Sequence, residues 1–453
     1  MGRSDDAPTC GEYQKSRVDA RENRVLASIL TRRNAKKIDF AAILRDGRFF
    51  FGARLGIMKA ARTLSASFIR RKKVEMKNNL SSTTSRRAFC VGCVLGALGV
   101  GSWSVGASAF AGEESASAGS NAQPLKSAAE LADVLRAKLG KPFEIPAQTG
   151  LDVLGAEQKN PRAVIFKADS DWNDPASIRW YWSAAEAPEV APEHRRWFNA
   201  VCECKPAYGD RCVLITASGN GVALVRRADK KTLFYGLAPG NPHSAAVLPD
   251  GNIVAISSTG AKVRLYALSE EASGPDAPGA TGPTPVAAEY ELRGGHGVVW
   301  DAKRRVLWAL GNDEIVEYEY VGTKAKPELK EIWRGKLTGL ARGGHDLYAA
   351  PGFDALVSTG AGICVFDPVK REFYDIYKRV APNRHGVKSV SLTPNGSLPM
   401  ILLPVEEWWT PSPTWGNDVE TPVGTLDGAR FYKARWWVAD DFSEIGDGKD
   451  WRK

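Results

Sequence analysis

Residues 240–268 read GNPHSAAVLPDGNIVAISSTGAKVRLYAL and form one structural unit. His243 stands at the head of a short apolar run, and a turn beginning at Asp250 separates that run from the β-branched residues 253–257. A second turn leads to a third apolar run at 263–268. An Asp-Gly pair between apolar runs is among the strongest hairpin signals. The stretch therefore predicts three consecutive antiparallel strands.

The same layout occurs three more times downstream, and each copy begins with a histidine. The four histidines that head these units are His243, His296, His345 and His385. The chain contains only five histidines, so four of the five occupy a single position of the repeat. This recurrence is the main observation from which the sequence predicts a function.

Repeats of about 40–53 residues with three or four strands each are typical of a β-propeller. Units that begin near residues 161, 198, 243, 296, 345 and 385 give an all-β propeller of about six antiparallel blades. The first and last units are incomplete, and pairing between them would close the ring. Residues 430–439 are assigned to the unit headed by His385. A β-sandwich is the rival fold, but it does not explain one residue type at one repeat position.

The positive charge of the chain belongs to its N-terminal part. The formal net charge is +9, but residues 1–111 contain 21 Lys and Arg against 8 Asp and Glu. The remainder contains 40 basic and 44 acidic residues. We therefore expect no nucleic-acid partner, because the propeller lacks the basic excess that such binding requires.

Residues 76–111 have the order of a twin-arginine export signal. Arg86 and Arg87 precede a phenylalanine, an apolar glycine-rich run extends over residues 90–105, and small residues follow at 107–111. The run is shorter than the roughly 20 residues that a membrane-spanning helix needs. We expect export to the periplasm or the extracellular space, with no stable membrane anchor after signal cleavage.

The regions that flank the signal complete the expected organisation. Residues 1–75 are interpreted as an over-extended start or a disordered basic arm. Residues 112–160 are a small-residue linker and a short helix that Ser127 caps, with Leu131 and Leu135 on its apolar stripe. We expect this helix to dock against the propeller, which extends over residues 161–453, and the protein to be a monomer.

Four cysteines remain after the signal: Cys202, Cys204, Cys212 and Cys364. An oxidising compartment permits a disulfide from Cys212 to Cys202 or Cys204. Buried free thiols are the alternative.

The chain resembles a family of exported bacterial proteins known only as a domain of unknown function, over about residues 161–440. The segments that carry the resemblance are Asp-Trp at 171–172, Trp-Tyr-Trp at 180–182, Ala-Ser-Gly at 217–219, GNPHS at 240–244, LPDGN at 248–252, GHGVVWD at 295–301, GHDL at 344–347 and GVKS at 386–389. The resemblance implies a propeller-like fold and brings no established activity.

The first strand of each blade lines the channel of a propeller, so residues that head these strands are expected to meet at one mouth. Four imidazoles around one axis favour a divalent metal such as Mn, Fe or Zn. Two alternatives stay open: each histidine bonds the backbone of a neighbouring blade, or the cluster forms a polar pocket without metal.

Glu203 and Lys205 share one face of a predicted first strand, and Lys388 lies in another. These residues are candidates for acid and base catalysis or for binding an anion, and ion pairing between blades is the structural alternative. A lysine whose pKa is lowered by burial would serve as a base.

The last unit contains a proline-bounded loop with Trp408, Trp409 and Trp415, and Arg435 follows it. Exposed indoles of this kind are suited to stacking on sugars. The alternative is a loop that buries its tryptophans.

Three functional hypotheses follow. The first is an exported propeller that binds a small-molecule or carbohydrate-derived ligand, with or without a metal. The second is a metal-assisted lyase or hydrolase acting on acidic sugars, and the third is a non-catalytic interaction scaffold. The sequence contains no nucleophile elbow, phosphate-binding loop, HExxH motif or dinucleotide fingerprint, which disfavours the enzyme classes that use them.

Overall fold

The computed structural model describes residues 124–378, 386–418, 421–439 and 442–443. The expected leader and signal segments, residues 1–111, lie outside this part of the chain, and so does His385. The described residues form six antiparallel sheets arranged as the blades of a β-propeller, which confirms the predicted fold class. No helix among them is long and apolar enough to cross a membrane.

The described part contains one α-helix, four short 3-10 helices and 25 strands. The helices are Ala128–Lys138 (α1) and the 3-10 segments Pro175–Ser177, Pro192–Phe198, Gly339–Ala341 and Pro394–Gly396. The strands are Lys126–Ser127 (β1), Asp152–Glu157 (β2), Arg162–Lys167 (β3), Ile178–Trp182 (β4), Val201–Ala207 (β5), Cys212–Ala217 (β6), Gly221–Arg226 (β7), Thr232–Leu237 (β8), Pro242–Val247 (β9), Ile253–Ser257 (β10), Lys262–Tyr266 (β11), Ala288–Glu291 (β12), Gly297–Asp301 (β13), Val306–Leu310 (β14), Glu314–Thr323 (β15), Lys326–Lys336 (β16), Asp346–Ala349 (β17), Phe353–Asp354 (β18), Leu356–Thr359 (β19), Ile363–Asp367 (β20), Glu372–Tyr377 (β21), Ser389–Ser391 (β22), Met400–Leu402 (β23), Thr414–Trp415 (β24) and Phe431–Trp436 (β25).

Each blade is an antiparallel sheet whose first strand lies nearest the axis. From the axis outward the sheets are β25-β2-β3-β4, β5-β6-β7-β8, β9-β10-β11-β12, β13-β14-β15-β16, β17-β19-β20-β21 and β22-β23-β24. We number them blades 1 to 6 in this order. Five have four strands and, among the described residues, blade 6 has three.

The last strand of the chain closes the ring. β25 pairs antiparallel with β2, with Trp436 opposite Val153 and Phe431 opposite Glu157. The expected pairing of the first and last units is therefore confirmed. The assignment of residues 430–439 to the unit headed by His385 is wrong, because β25 is the innermost strand of blade 1. Hairpin signals in a sequence pair each strand with its neighbour along the chain. They cannot reveal that β25 pairs with β2, which lies at the other end of the propeller sequence.

The first blade begins before the expected boundary at residue 161. The apolar pattern of β2 is weak because its two ends are polar and Gly155 lies at its centre. Gly155 has a packing role here, since a Cβ at this position would lie 2.7 Å from the ring of Phe431. Because Gly155 has no side chain, β25 and its Phe431 ring can pack close against β2.

Most strands are buried on both faces. β6, β9 and β10 contain no residue that is exposed or half-buried. Their side chains fill separate apolar clusters between successive blades, such as the one that joins Leu224 of blade 2 to Ile253 of blade 3. Because each sheet is packed between two others, its strands are continuous apolar runs and do not alternate with polar residues.

The cysteines belong to these packed layers. All four are buried and unbonded to one another, which confirms the free-thiol interpretation and excludes the Cys212 disulfide. Burial raises the pKa of Cys202 and of Cys212 to about 12. Both thiols are therefore protonated and unreactive at neutral pH.

The short helix docks as expected. The Ser127 Oγ accepts a hydrogen bond from the Glu130 N–H at 3.3 Å, and a Glu130 carboxylate oxygen accepts one from the Ser127 N–H at 2.7 Å. This capping box fixes the start of α1. Leu131 and Leu135 are fully buried in a cluster that includes Phe353 of β18 and Val390 of blade 6.

We expect Ser127→Ala to lower the free energy of unfolding by about 1 kcal/mol, because the Glu130 N–H loses its acceptor and the Glu130 carboxylate loses the serine hydroxyl. Urea denaturation of the mature chain measures this change. Ser127→Asp keeps an acceptor at the cap and should match the wild type. An alanine variant as stable as the wild type would show that the cap contributes nothing to the docked helix.

Candidate ligand site on the propeller axis

Three of the four predicted histidines come together on the axis. The rings of His243 and His296 stack with centroids 4.5 Å apart and an interplanar angle of 9°. The ring of His345 lies 4.9 Å from that of His296, and the ring of Tyr432 stacks on His243 at 5.0 Å. The residues at the start of the inner strands of successive blades thus form one column of rings.

The position that these histidines occupy is defined by the inner strand of each blade. His296 and His345 directly precede β13 and β17. In blade 6 the residue directly before β22 is Lys388, so the lysine and not His385 holds the equivalent position. In blades 1 and 2, Tyr432 and Cys202 are the second residues of their strands, as His243 is in blade 3.

Hydrogen bonds fix the tautomers of two rings. The Nδ1 atoms of His296 and His345 lie 2.7 Å and 2.6 Å from the carbonyl oxygens of Gly294 and Gly343. A carbonyl only accepts, so each Nδ1 carries the proton and each Nε2 offers a lone pair. Burial lowers the pKa of His296 to about 4 and holds those of His243 and His345 well below the usual value. All three imidazoles are neutral at pH 7.

Below the histidines, Lys433 joins four groups from four blades. Its Nζ donates to Glu203 Oε1 and Asp346 Oδ1, each at 3.0 Å. It also donates to the carbonyl oxygens of His243 at 3.3 Å and His296 at 3.1 Å. The ammonium group therefore links the inner strands of four blades.

Arg435 binds the same two carboxylates. Its Nη2 donates to Glu203 Oε1 at 2.6 Å and to Asp346 Oδ1 at 2.8 Å. All three side chains are 2 % exposed or less. Burial favours the neutral form of Glu203, but Lys205, Lys433 and Arg435 outweigh it and hold its pKa well below the usual range.

Lys205 lies two residues after Glu203 on the same face of β5 and completes the network. Its Nζ donates to Ser244 Oγ at 2.8 Å and to the carbonyl oxygens of Val298 at 2.8 Å and Ala245 at 3.3 Å. It also lies 3.2 Å from Glu203 Oε2. The ion pairing that the sequence left open for Glu203 and Lys205 is therefore present. In this network three buried cations share two carboxylates.

A cavity of about 80 Å³ lies directly beyond Lys205 and Arg435. A single water molecule needs roughly 10–15 Å³, so a small ligand fits. Apolar and aromatic side chains form most of the wall, among them Val247, Val299, Trp300, Leu347, Tyr348 and Trp436. Arg435 lines the cavity, and its Nε and Nη1 are buried and have no hydrogen-bond partner among the described residues.

Lys388 is buried without a carboxylate. It is 3 % exposed, and its one contact in the described part of the chain is the ring of Tyr432, 5.3 Å from its Nζ. Burial, with the nearby charge of Lys433, lowers the pKa of Lys388 to about 7. A cation over an aromatic face gains about 0.5–2 kcal/mol, which does not offset the loss of hydration.

We expect Lys388→Met to be more stable than the wild type at pH 7, by an amount of the order of a few kcal/mol. Between pH 7 and 10.5 the unfolded chain holds a proton on Lys388 that the folded chain lacks, so wild-type stability rises with pH across this window. The advantage of the methionine variant should therefore shrink toward pH 10. Urea denaturation at several pH values measures it. Lys303→Met, at an exposed lysine, is the control. If its stability relative to the wild type changed with pH in the same way, the pH dependence could not be assigned to Lys388.

The aromatic loop is only partly exposed. Trp408 is 43 % exposed, and its Nε1 donates to Gln158 at 2.9 Å. The guanidinium of Arg430 covers the ring of Trp409 at 4.8 Å. Trp415 is buried against Trp436, with ring centroids 5.3 Å apart. The prediction that Trp415 stacks on a sugar is therefore wrong, because its ring is part of the core.

Arg435 also differs from the prediction that grouped it with this loop. Its guanidinium lies on the axis, where it contacts Glu203 and Asp346. Lys433 and Tyr432 were missed as site residues. Their signal is the alternation of FYKARW at 431–436, which places Lys433 and Arg435 on one face of a strand.

In the part of the chain that the structure describes, no group of three or more His, Cys, Asp and Glu side chains is arranged to hold a metal ion. The rings of His243 and His296 lie face to face, the ring of His345 is tilted by 44° to that of His296, and Glu203 and Asp346 are bound by cations. His385 lies outside the described residues.

The closed ring of blades and the polar axial core define a six-bladed β-propeller with a small cavity beside its axial network. A family model described as a family of unknown function (DUF6528) matches residues 124–451, and the chain belongs to that family. A search of curated proteins gives no match. The chain is similar to a solved structure of a protein of unknown function from Bacteroides caccae, at 11% identity and a TM-score of 0.40, with 64% of this chain and 99% of that one covered.

Proposed function

We propose that this protein is an exported ligand-binding propeller whose axial cavity takes a small acidic molecule, carbohydrate-derived and of the uronic-acid class. The observation that carries the proposal is the charge of the network beside the cavity. Lys205, Lys433 and Arg435 are balanced by two carboxylates only, Glu203 and Asp346. A carboxylate in the cavity would neutralise the excess cation.

The unpartnered donors of Arg435 give the carboxylate a specific place to bind. A buried N–H without an acceptor costs about 1–3 kcal/mol, and more when the group is charged. Two such atoms, Nε and Nη1, belong to this guanidinium. A ligand carboxylate that accepts from either of them gains a charge-assisted hydrogen bond in a site that is already desolvated.

The cavity wall suits the body of such a ligand. Trp300 and Tyr348 present aromatic surface, and the remaining wall is largely aliphatic. Sugar C–H faces pack well on aromatic rings, and a few fixed polar groups in an apolar pocket are typical of small-molecule sites.

We expect Lys205→Met to weaken binding of glucuronate or galacturonate by about 10- to 100-fold, because two cations would then face two carboxylates and the excess positive charge that a ligand carboxylate neutralises would be gone. Isothermal titration calorimetry of the mature protein measures the affinity. Lys303→Met removes an exposed lysine and should bind like the wild type. The uncharged sugars glucose and galactose should bind far more weakly than their acids. Equal affinity for acid and neutral sugar would overturn the proposal.

A divalent metal at the histidines remains a separate proposal. The free Nε2 atoms of His296 and His345, with Nδ1 held by a carbonyl, are the arrangement usual for histidine ligands. Elemental analysis of protein exported through its native route tests it, with a His296→Ala/His345→Ala double variant as the comparison. Equal metal content in both proteins would remove the histidines as ligands.

A metal-assisted lyase or hydrolase acting on acidic sugars is the enzymatic alternative. The neutral amine of Lys388 favours it, since such a group accepts a proton at pH 7. Incubation with uronic-acid oligomers, followed by detection of unsaturated products, separates this activity from binding. The scaffold hypothesis expected scattered histidines, so the stacked rings speak against it.

A further inference from the structure

The tip of the aromatic loop presents apolar surface away from the propeller axis. Five large apolar side chains are exposed in the described part of the chain, and two of them, Val405 and Trp408, lie in this one turn. Trp408 is the only aromatic residue of the five. Single exposed apolar residues are ordinary, whereas exposed apolar side chains that lie together indicate a binding surface.

A tight hairpin holds Trp408 at its tip. The Trp409 N–H donates to the Glu406 carbonyl oxygen at 2.9 Å, and the Glu406 N–H donates to the Trp409 carbonyl oxygen at 3.2 Å. Glu407 and Trp408 are therefore the two residues of the loop. Glu407 has a φ of 39°, at the first position of the loop, where glycine is usual. A non-glycine residue with a positive φ is strained backbone, which is concentrated at functional sites.

The indole of Trp408 is held in one orientation although it is exposed. Its Nε1 donates to Gln158 Oε1 at 2.9 Å. Gln158 is in turn fixed to the closing strand, because its backbone N–H donates to the carbonyl oxygen of Arg430 at 2.9 Å. The polar atom of the indole is thus bound by the protein, and the exposed part of the ring is carbon. A ring that is already oriented loses little conformational entropy when a ligand binds to it.

Polar groups of both signs surround the indole. Glu406 and Glu407 are exposed on the hairpin, and Lys159, which follows Gln158, is exposed beside it. The guanidinium of Arg430 is exposed over the ring of Trp409. Carboxylates accept hydrogen bonds and these cations donate them. An apolar ring face with acceptors and donors at its edge matches a sugar, whose hydroxyl groups both donate and accept.

We propose that this hairpin is a surface binding site for a neutral oligosaccharide of β-linked pyranoses with equatorial hydroxyl groups, the chemistry of a β-1,4-glucan. Equatorial hydroxyl groups leave only C–H bonds on the two faces of the sugar ring, and such a face packs on an indole. None of residues 405–409 lines the axial cavity. The hairpin site is therefore separate from the acidic-ligand site and requires no charge on its ligand.

The test is isothermal titration calorimetry of the mature protein with cellohexaose, a chain of six β-1,4-linked glucose units. Trp408→Ala should lower the affinity at least about tenfold, because it removes the stacking surface. Trp408→Phe keeps an aromatic face and should recover most of this loss. Ile332→Ala removes a side chain that is similarly exposed on blade 4 and should bind like the wild type.

Two further comparisons separate this site from the axial cavity. Trp408→Ala should keep the glucuronate affinity of the wild type, and Lys205→Met should keep the affinity for cellohexaose. Maltohexaose, in which the same glucose units are α-linked in a curved chain, should bind more weakly than cellohexaose. A wild-type protein that does not bind cellohexaose would overturn the hairpin site, whatever the outcome with glucuronate. Cellohexaose binding that is unchanged in Trp408→Ala would overturn it as well.

Discussion

Asp346→Asn is expected to lower the free energy of unfolding by about 3–5 kcal/mol, the range typical of breaking one partner of a buried ion pair. Asp346 is fully buried and accepts from both Lys433 and Arg435. Without its charge, three axial cations would share Glu203 alone. Amide and carboxylate have nearly the same shape. The decrease in the free energy of unfolding therefore comes from the lost charge and not from altered packing.

Chemical denaturation of the mature protein measures this loss, and two further variants identify its cause. Asp276→Asn removes an exposed carboxylate that pairs with Arg211 and should cost less than about 1 kcal/mol. Adding Lys433→Met to Asp346→Asn removes one unbalanced cation and should recover part of the stability. A double variant less stable than the single one would show that charge balance does not hold the axis together.

A chain that ends at residue 428 is expected to lose cooperative folding altogether. It lacks β25, which is the inner strand of blade 1 and supplies Lys433 and Arg435 to the axis. β2 would become an open edge, and the ring would not close. Thermal unfolding followed by circular dichroism should show no sharp transition, and the exposed edge should make the protein aggregate.

Complementation by a synthetic peptide of residues 429–443 gives the control for this truncation. The peptide should restore a cooperative transition when added to the shortened chain, since it supplies the closing strand. A peptide of the same composition in scrambled order should not. Cooperative unfolding of the shortened chain without any peptide would contradict the role of β25 as the closing strand.

The pattern of hairpins was readable from the sequence because it is local. In residues 240–268 the turn residues and the apolar runs lie within one unit, and the repeat places a histidine at the same point in successive units. The helix was equally readable, since its cap and its apolar stripe are adjacent in sequence.

The polar core of the axis was not readable in this way. Lys433 is one of two basic residues in a short strand, and its four partners come from blades 2 to 5. No pattern near residue 433 specifies these distant groups. The alternation in β25 gives the side on which Lys433 and Arg435 lie, but only closure of the ring decides that this side is the channel.

The sequence by itself therefore determined the all-β class, the number of blades and the recurrence of histidines at one repeat position. Tertiary structure alone decided that the neutral rings of His243, His296 and His345 lie together on the axis and that Lys388 takes the equivalent place in blade 6. The reason is physical: strand and turn formation depend on neighbours along the chain, whereas the charge state and contacts of an axial side chain depend on what five other blades bring to the same point.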